Sequence, residues 1–507
     1  MKNKLIYILK EHTLIQANFR IILFNMDLEK LFKPKSLAVV GVSKKNPLSP
    51  GRIVLLKNEF EMDVKVYGVY PNGGDIEGVE LYDRLDRLPQ IPDLLVIAVG
   101  PDDTLGYIQE CADLGIPASV IIGGGFAEVG GEGINRQKKL EEIAFDNDIA
   151  VLGPNCLGVY APPTVDTIFL PTERITRPPK GSVALISQSG GFLVDQFFVK
   201  FAERNIGVST AVSIGNRAVV DESILLEYFS KVDKETSNIA FYLEGFKEGK
   251  AKKFAQLAKE SDDTVIVFYG GKTKEGKIAT KSHTASLAGN YKVIYNALRQ
   301  NFVIQPHSER ELLTCLKVYD VLSHRRNPFG KNVVTFGNVV IVSGSGGHGV
   351  IASDMLRKYG LNAVQLTEKE KEDLKSLTSP VAREIASFSN PIDLTGSVLD
   401  TDIENVVRFL SDIERIECII LLILPYPPNI SFQIGRRIAN VVLTKRKPLV
   451  CFIPYIPKYS LIIDSLELAN IPVFHSIKEA VQAVSALKER TRIRNIKQDN
   501  VYWEQKS

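Results

Sequence analysis

The feature that most constrains this chain is a recurring unit: a short apolar run, a turn carrying glycine, then a stretch with helical spacing of apolar side chains. The runs occupy residues 36–43, 64–70, 94–99, 118–122 and 149–152, then 183–186, 211–214, 238–243 and 265–269, then 339–343, 416–424, 448–453 and 472–474. Runs without a polar face belong to strands buried on both sides, as in parallel sheets covered by helices. Helix-like segments at 103–114, 134–146, 193–201 and 350–359 supply crossovers between them. The pattern predicts α/β architecture, and 507 residues predict about three domains.

The proline-rich stretch 171–179 and the basic stretch 324–331 read as linkers. The expected division is an N-terminal extension (1–26), a Rossmann-like doubly wound unit (27–170), two flavodoxin-like units (180–325 and 333–490) and a C-terminal tail (491–507). Residues 1–25 set Glu11 and His12 between Lys2, Lys4 and the apolar stretch 21–24, so they lack the continuous apolar core of a secretory leader. No run is long enough to cross a bilayer, and no membrane role is expected. A net charge of +3 with both signs interspersed excludes a strongly basic nucleic-acid surface. Five cysteines, an odd number, stand far apart without metal-site spacing. Buried thiols in a reducing cytoplasm, and no metal site, are the expectation.

The C-terminal edge of a doubly wound sheet is where its ligand binds. In the first unit that edge carries Gly41, Tyr70-Pro71-Asn72, Gly100-Pro101 and Gly123-Gly124-Gly125. The G-x-G-x-x-G triplet of dinucleotide sites is absent after Gly41, which weakens a nicotinamide-dependent dehydrogenase. Lys44, Lys45 and Arg52 favour a phosphorylated ligand.

The second unit places three features at one sheet edge. Ser187-Gln188-Ser189-Gly190-Gly191 joins a strand to a helix, and such a turn offers backbone N–H groups and a helix dipole to an anion. Glu244 ends a later strand. The last strand leads into residues 270–290, a glycine-rich stretch without core periodicity that carries His283, expected as a mobile loop. Neutral imidazole is a nucleophile near neutral pH. Together these features predict phosphoryl transfer through His283, with Glu244 fixing the ring tautomer and offsetting its charge.

The ordered set SQSGG (187–191), GN (215–216), YLEG (242–245) and SHTASLAG (282–289) resembles the α subunit of ADP-forming acyl-CoA synthetases, relatives of succinyl-CoA synthetase. LAVVGVS (37–43), GGGFAE (123–128) and GPNCLG (153–158) resemble the family's CoA-binding domain, and the resemblance runs over roughly residues 27–488. It implies a phosphohistidine at His283 and Glu244 as its orienting acid. It also implies a CoA site in the first unit that includes Gly41, Ser43, Lys44, Pro71, Asn72, Gly124 and Phe126, followed by two succinyl-CoA synthetase-type domains. There are departures. Ala285 stands where the family carries glycine, Tyr70-Pro71-Asn72-Gly73 stands where many relatives have asparagine-proline-lysine, and the stretch 217–221 is altered. His348, in the third unit's Gly344–Gly349 turn, reads as a turn histidine near an anion rather than a second phosphate acceptor.

All three units are accounted for without the ATP-grasp module that such a ligase needs. The resemblance therefore implies a separate ATP-grasp β subunit, in an α2β2 assembly, holding ATP or ADP with Mg2+. This chain would handle CoA, a small carboxylic acid and phosphate. The alternative is a non-catalytic CoA-binding regulatory subunit of the same fold.

Overall fold

Strands Ser36–Val40, Leu94–Ile97 and Ala118–Ile121 are buried at every position, as consecutive apolar side chains require. They lie in a seven-stranded sheet ordered Gly74–Ile76, Val79–Tyr82, Lys65–Val69, Ser36–Val40, Leu94–Ile97, Ala118–Ile121, Ala150–Leu152. Apart from the antiparallel Gly74–Ile76 hairpin edge, the pairing is parallel. The order reverses between Ser36–Val40 and Leu94–Ile97, which is the Rossmann arrangement and locates the ligand crevice.

The structure is a computed structural model that describes residues 26–283, 290–322 and 334–504, and it divides into two units after Pro306. The extension expected at 1–26 lies outside the described residues except for Met26, which is buried with the first unit. A second sheet in this unit runs Thr264–Tyr269, Asn238–Leu243, Lys180–Ser187, Val208–Ser213, Gly158–Ala161, Val165–Asp166. Its parallel strands reverse order between Lys180–Ser187 and Asn238–Leu243. The sequence assigned 158–166 to the first unit. Instead this hairpin extends the second sheet, antiparallel to Val208–Ser213. That closes what would be an exposed strand edge.

The two sheets are also joined by buried charge. Lys57, on helix Pro50–Glu61, meets Asp166 Oδ1 at 3.0 Å, and Arg177 Nε meets Asp166 Oδ2 at 2.8 Å. Asn58 brackets the same residue, donating to its carbonyl at 2.7 Å and accepting from its N–H at 2.9 Å. Burial, against the attraction of Asp166, pulls Lys57 down to about 8.

The unit from His307 onward is built on a sheet ordered Asn362–Ala363, Asn338–Ser343, Cys418–Leu422, Leu449–Phe452, Val473–Phe474, a flavodoxin-like order. Helix Glu309–Val321 falls within the range 180–325 expected for the middle unit, and it packs with this unit. Lys317 pairs with Glu467 at 2.5 Å, and the buried Tyr319 hydroxyl donates to the Ala486 carbonyl at 2.9 Å. Of the residues expected as a tail, 491–504 continue helix Ile477–Glu504 and 505–507 lie outside the described residues. Arg490 of that helix stacks on Tyr319 and donates to the Leu322 carbonyl at 2.8 Å, which satisfies the C-terminal end of Glu309–Val321.

Candidate active site

The Ser187–Gly191 turn and Glu244 stand on adjacent strands where the second sheet reverses order. Ser187 pairs with Tyr242 across the ladder, so Glu244 lies two residues beyond the last paired position. Ser187 Oγ donates to the Ser189 carbonyl at 2.7 Å and shapes the turn. Ser189 caps the helix that begins at Gly190, its Oγ accepting from Phe192 N at 3.3 Å. That helix runs through Gly190–Phe192, a π-type segment Leu193–Phe198 and Val199–Glu203, so the dipole behind the turn is that of a full helix. A Cβ on Gly190 would lie 2.6 Å from Leu157 Cγ, so glycine is required there.

Glu244 is half-buried. Its Oε1 accepts from the Tyr242 hydroxyl at 3.1 Å, and its backbone N–H donates to Gln188 Oε1 at 2.8 Å. Burial, then the charge of Glu244, raises the Tyr242 hydroxyl, which therefore stays a protonated donor. The next strand ends at Tyr269, and Gly270 crosses directly over this pair: a Cβ there would lie 2.9 Å from Tyr242 Oη and 3.4 Å from Glu244 Cγ. The chain then enters helix Lys274–His283. This corrects the reading of 270–290 as loop throughout. Thr273 starts the helix, its Oγ accepting from Gly276 N at 3.0 Å, and Thr280 is its buried contact. The His283 side chain and residues 284–289, including Ala285, lie outside the described residues.

A cavity of about 460 Å³ opens beside the turn, between the two sheets of this unit. Gln188, Gly190 and Gly191 line it from the second sheet, and Glu128, Asn155 and Leu157 from loops of the first. These loops are tied together. Glu128 accepts from the N–H groups of Gly125 and Phe126 with one oxygen and from Asn216 Nδ2 with the other. Asn216 Nδ2 also donates to Gln137 Oε1 at 3.1 Å, and Asn155 Nδ2 donates to Asn216 Oδ1 at 3.4 Å. Burial pushes the Glu128 carboxyl up, but the hydrogen bonds from Asn216 and the backbone outweigh it and hold the group below its ordinary value. Sequence reasoning quoted GGGFAE and GN as motifs without seeing that Glu128 and Asn216 are partners. Two buried donors on residues that line the cavity, Gln188 Nε2 and Arg217 Nε, have no acceptor among the described residues.

The other candidates of the first sheet form a second cluster. Gly41 turns with φ +85°, and a Cβ there would lie 2.2 Å from the Ala98 carbonyl oxygen. Ser43 Oγ accepts from Asn46 N at 3.0 Å. Lys44 Nζ donates to the Gly73 carbonyl at 2.6 Å and lies 5.1 Å from the Tyr70 ring centroid, which draws it to the exposed Pro71-Asn72 loop. Gly124 is exposed on the loop that reaches the cavity. Phe126 departs from expectation. Its ring is fully buried in the core, so the side chain anchors the loop and offers nothing to a ligand. In the unit from His307 onward, His348 stands in the first turn of helix Gly346–Lys358, with Nδ1 3.2 Å from Ser345 Oγ. Among the described residues no cluster of acidic, histidine or cysteine side chains has the form of a metal site.

Residues 35–162 match a CoA binding domain family, 180–319 the succinyl-CoA ligase like flavodoxin domain, and 339–449 the Ligase-CoA domain. The chain is 33% identical over 479 residues to the acetate–CoA ligase [ADP-forming] I subunit alpha of Pyrococcus furiosus, covering 91% of this chain and 97% of that one. It is 30% identical to the acetate–CoA ligase [ADP-forming] I of Archaeoglobus fulgidus, covering 92% of this chain and 64% of the relative. Among solved structures, acetyl-coenzyme A synthetase 1 of Ca. Korarchaeum cryptofilum, in complex with phosphate and ADP, superimposes with a TM-score of 0.82 at 28% identity, over 94% of this chain and 99% of that one. With the cavity, the anion turn and the order of its domains, this likeness over nearly the whole length means that the chain belongs to the ADP-forming acetate–CoA ligases, the ADP-forming acyl-CoA synthetase family.

Proposed function

We propose that this chain performs the CoA, acyl and phosphate chemistry of an ADP-forming acyl-CoA synthetase, with His283 as phosphoryl carrier. The overall reaction converts acyl-CoA, ADP and phosphate to carboxylic acid, CoA and ATP, and is reversible. The observation that carries the reading is the placement of the Ser187–Gly191 turn and Glu244 on neighbouring strand ends, with the segment leading to His283 passing over Glu244.

The steps follow from that placement. A phosphate oxygen attacks the thioester carbon, the C–S bond breaks, and CoA leaves as the thiol with the proton that phosphate gives up. The resulting acyl phosphate lies by the N–H groups of Gly190 and Gly191, which offset its charge. A ring nitrogen of His283 then attacks phosphorus, and the carboxylate leaves. Glu244 orients the imidazole and balances the cation that forms. The phosphoryl group finally passes to ADP. Catalysis here is positioning and charge neutralisation. CoA is read as lying across Gly41, Ser43, Pro71, Asn72 and Gly124. Lys44 supplies the cation that the missing lysine of the asparagine-proline-lysine segment would give, since its ammonium already reaches that loop.

The nucleotide is assigned to an ATP-grasp β subunit in an α2β2 assembly, supported by the 97% coverage of a relative named as a subunit alpha. Cytoplasmic location is supported by the free, buried cysteines. Among the described residues no helix is long and apolar enough to cross a membrane.

Incubation with acetyl-CoA and labelled phosphate, with and without an ATP-grasp subunit, tests the reading. Alkali-stable, acid-labile label at His283 is expected. A His283→Asn protein that kept full label and turnover would sink it.

A further inference from the structure

Of these two donors on cavity-lining residues, Arg217 is already held through its NH1 by the Glu222 carboxylate at 3.2 Å and the Gly245 carbonyl at 2.9 Å. Gln188 is different. Its side chain is neutral, the residue is 6% exposed, and Nε2 meets no acceptor among the described residues. The amide has one orientation. Its Oε1 accepts from Glu244 N at 2.8 Å, so a flipped amide would set donor against donor. Backbone bonding from Gln188 N to the Tyr242 carbonyl at 3.0 Å fixes the residue itself. A buried donor left unpaired is costly, and folded proteins rarely retain one. Gln188 is one of the residues that line the cavity, at the foot of the anion turn.

Resting on the functional reading above, we propose that the Gln188 side-chain amide is a catalytic residue: the donor that stabilises the acyl carbonyl oxygen as phosphate attacks. Phosphate has its own donors one and two turn positions further on, at the start of the helix. Leu157, Phe246 and Ile122 line the same cavity as Gln188, together with Glu128, Arg217 and Lys247, and the Glu244 carboxylate belongs to the residue whose N–H Gln188 accepts. With phosphate served by the turn, the acyl carbonyl is the group left for this neutral amide donor. When the phosphate oxygen bonds to the carbonyl carbon, the π pair moves to the carbonyl oxygen and Gln188 Nε2–H receives it. Collapse returns the pair, breaks the C–S bond and releases CoA as the thiol with the proton lost by phosphate. In the reverse direction the same amide serves attack of the CoA thiolate on acyl phosphate. A donor fixed before the charge develops needs no reorganisation at the moment of reaction.

The test uses the full chain with its ATP-grasp partner, acetyl-CoA and phosphate or arsenate, and reads CoA release. Gln188→Glu keeps the shape and the acceptor for Glu244 N but loses the donor, and Gln188→Leu loses both. Each is expected to lower kcat about 100-fold with KM for phosphate within about 2-fold. The carbonyl stretch of bound, carbonyl-labelled acetyl-CoA is expected below its free frequency in the wild type and shifted back in the variants. A raised KM for phosphate with kcat kept would overturn the proposal in favour of a phosphate ligand. Unchanged kinetics and stretch would overturn it in favour of a purely structural amide. If both variants fail to fold, an unshifted carbonyl stretch in the wild type overturns it and a shifted one supports it. A wild-type protein that binds no acetyl-CoA would overturn the functional reading and this proposal together.

Discussion

The backbone N–H of Glu244 donates to Gln188 Oε1 at 2.8 Å, across 56 residues of chain. One bond thus fixes the distance between the acid assigned to His283 and the turn assigned to phosphate. Glu244→Gln keeps an acceptor for the Tyr242 hydroxyl but loses the charge that balances a phosphorylated imidazole. Labelling of His283 from acetyl-CoA and phosphate is expected to slow by about 100-fold. Release of CoA with arsenate, which does not use His283, should persist. Equal losses in both assays would speak against the assignment.

Lys44 is exposed and its bonds are to a loop carbonyl and an aromatic ring, so its removal should leave stability unchanged. As a CoA phosphate contact it should matter to binding. Lys44→Ala is expected to raise KM for CoA about tenfold, with kcat preserved and a steeper loss at high salt in the wild type. An unchanged KM across salt concentrations counts against the cluster at Gly41 and Asn72 as the CoA phosphate site.

Glu128 is held below its ordinary value of 4.5 in the folded protein. The unfolded chain therefore takes up the proton first as pH falls. The stability that Glu128 contributes is complete above about pH 4.5 and is lost as pH drops through the lower folded value. Thermal unfolding of wild type and Glu128→Gln between about pH 6 and pH 3 should show a gap that closes on acidification. A gap of constant size would show that the Glu128–Asn216 bond contributes through shape alone.

Asp166 is fully buried between two cations, Lys57 and Arg177. Asp166→Ala strands both and should destabilise the first unit by about 3–5 kcal/mol in urea unfolding. Lys57→Met alone removes a charge that burial already disfavours, and should cost clearly less. The reverse ranking would mean that Lys57, not Asp166, organises the junction.

The strands were legible because a strand covered on both faces has no polar alternation to blur it. The α/β class and the positions of Ser187, Gln188 and Glu244 at strand ends followed from those runs and their terminal glycines, while the strand order and its reversal points did not. What escaped depended on contact between distant segments. Helix Lys274–His283 has no apolar stripe, since Thr280 is its buried residue, and only Thr273 as a cap announced it. The Glu128–Asn216 bond spans 88 residues, and Asp166, the partner of Lys57, lies 109 positions further along the chain. The resemblance implies Phe126 as part of the CoA site through its motif neighbours, and its full burial shows that a residue of a motif can serve packing rather than contact.

The hairpin Gly158–Ala161 with Val165–Asp166 has a practical bearing on anyone recombining these enzymes. It is the thread that leaves the first sheet and becomes the rim of the second. A cassette cut at the proline-rich stretch would carry off the rim with the donor and leave the recipient's Val208–Ser213 unpaired, an invitation to strand exchange between copies. The seam at which this protein can be opened lies before the hairpin, after Leu152, so chimeras with exchanged acyl or CoA preference should be joined there.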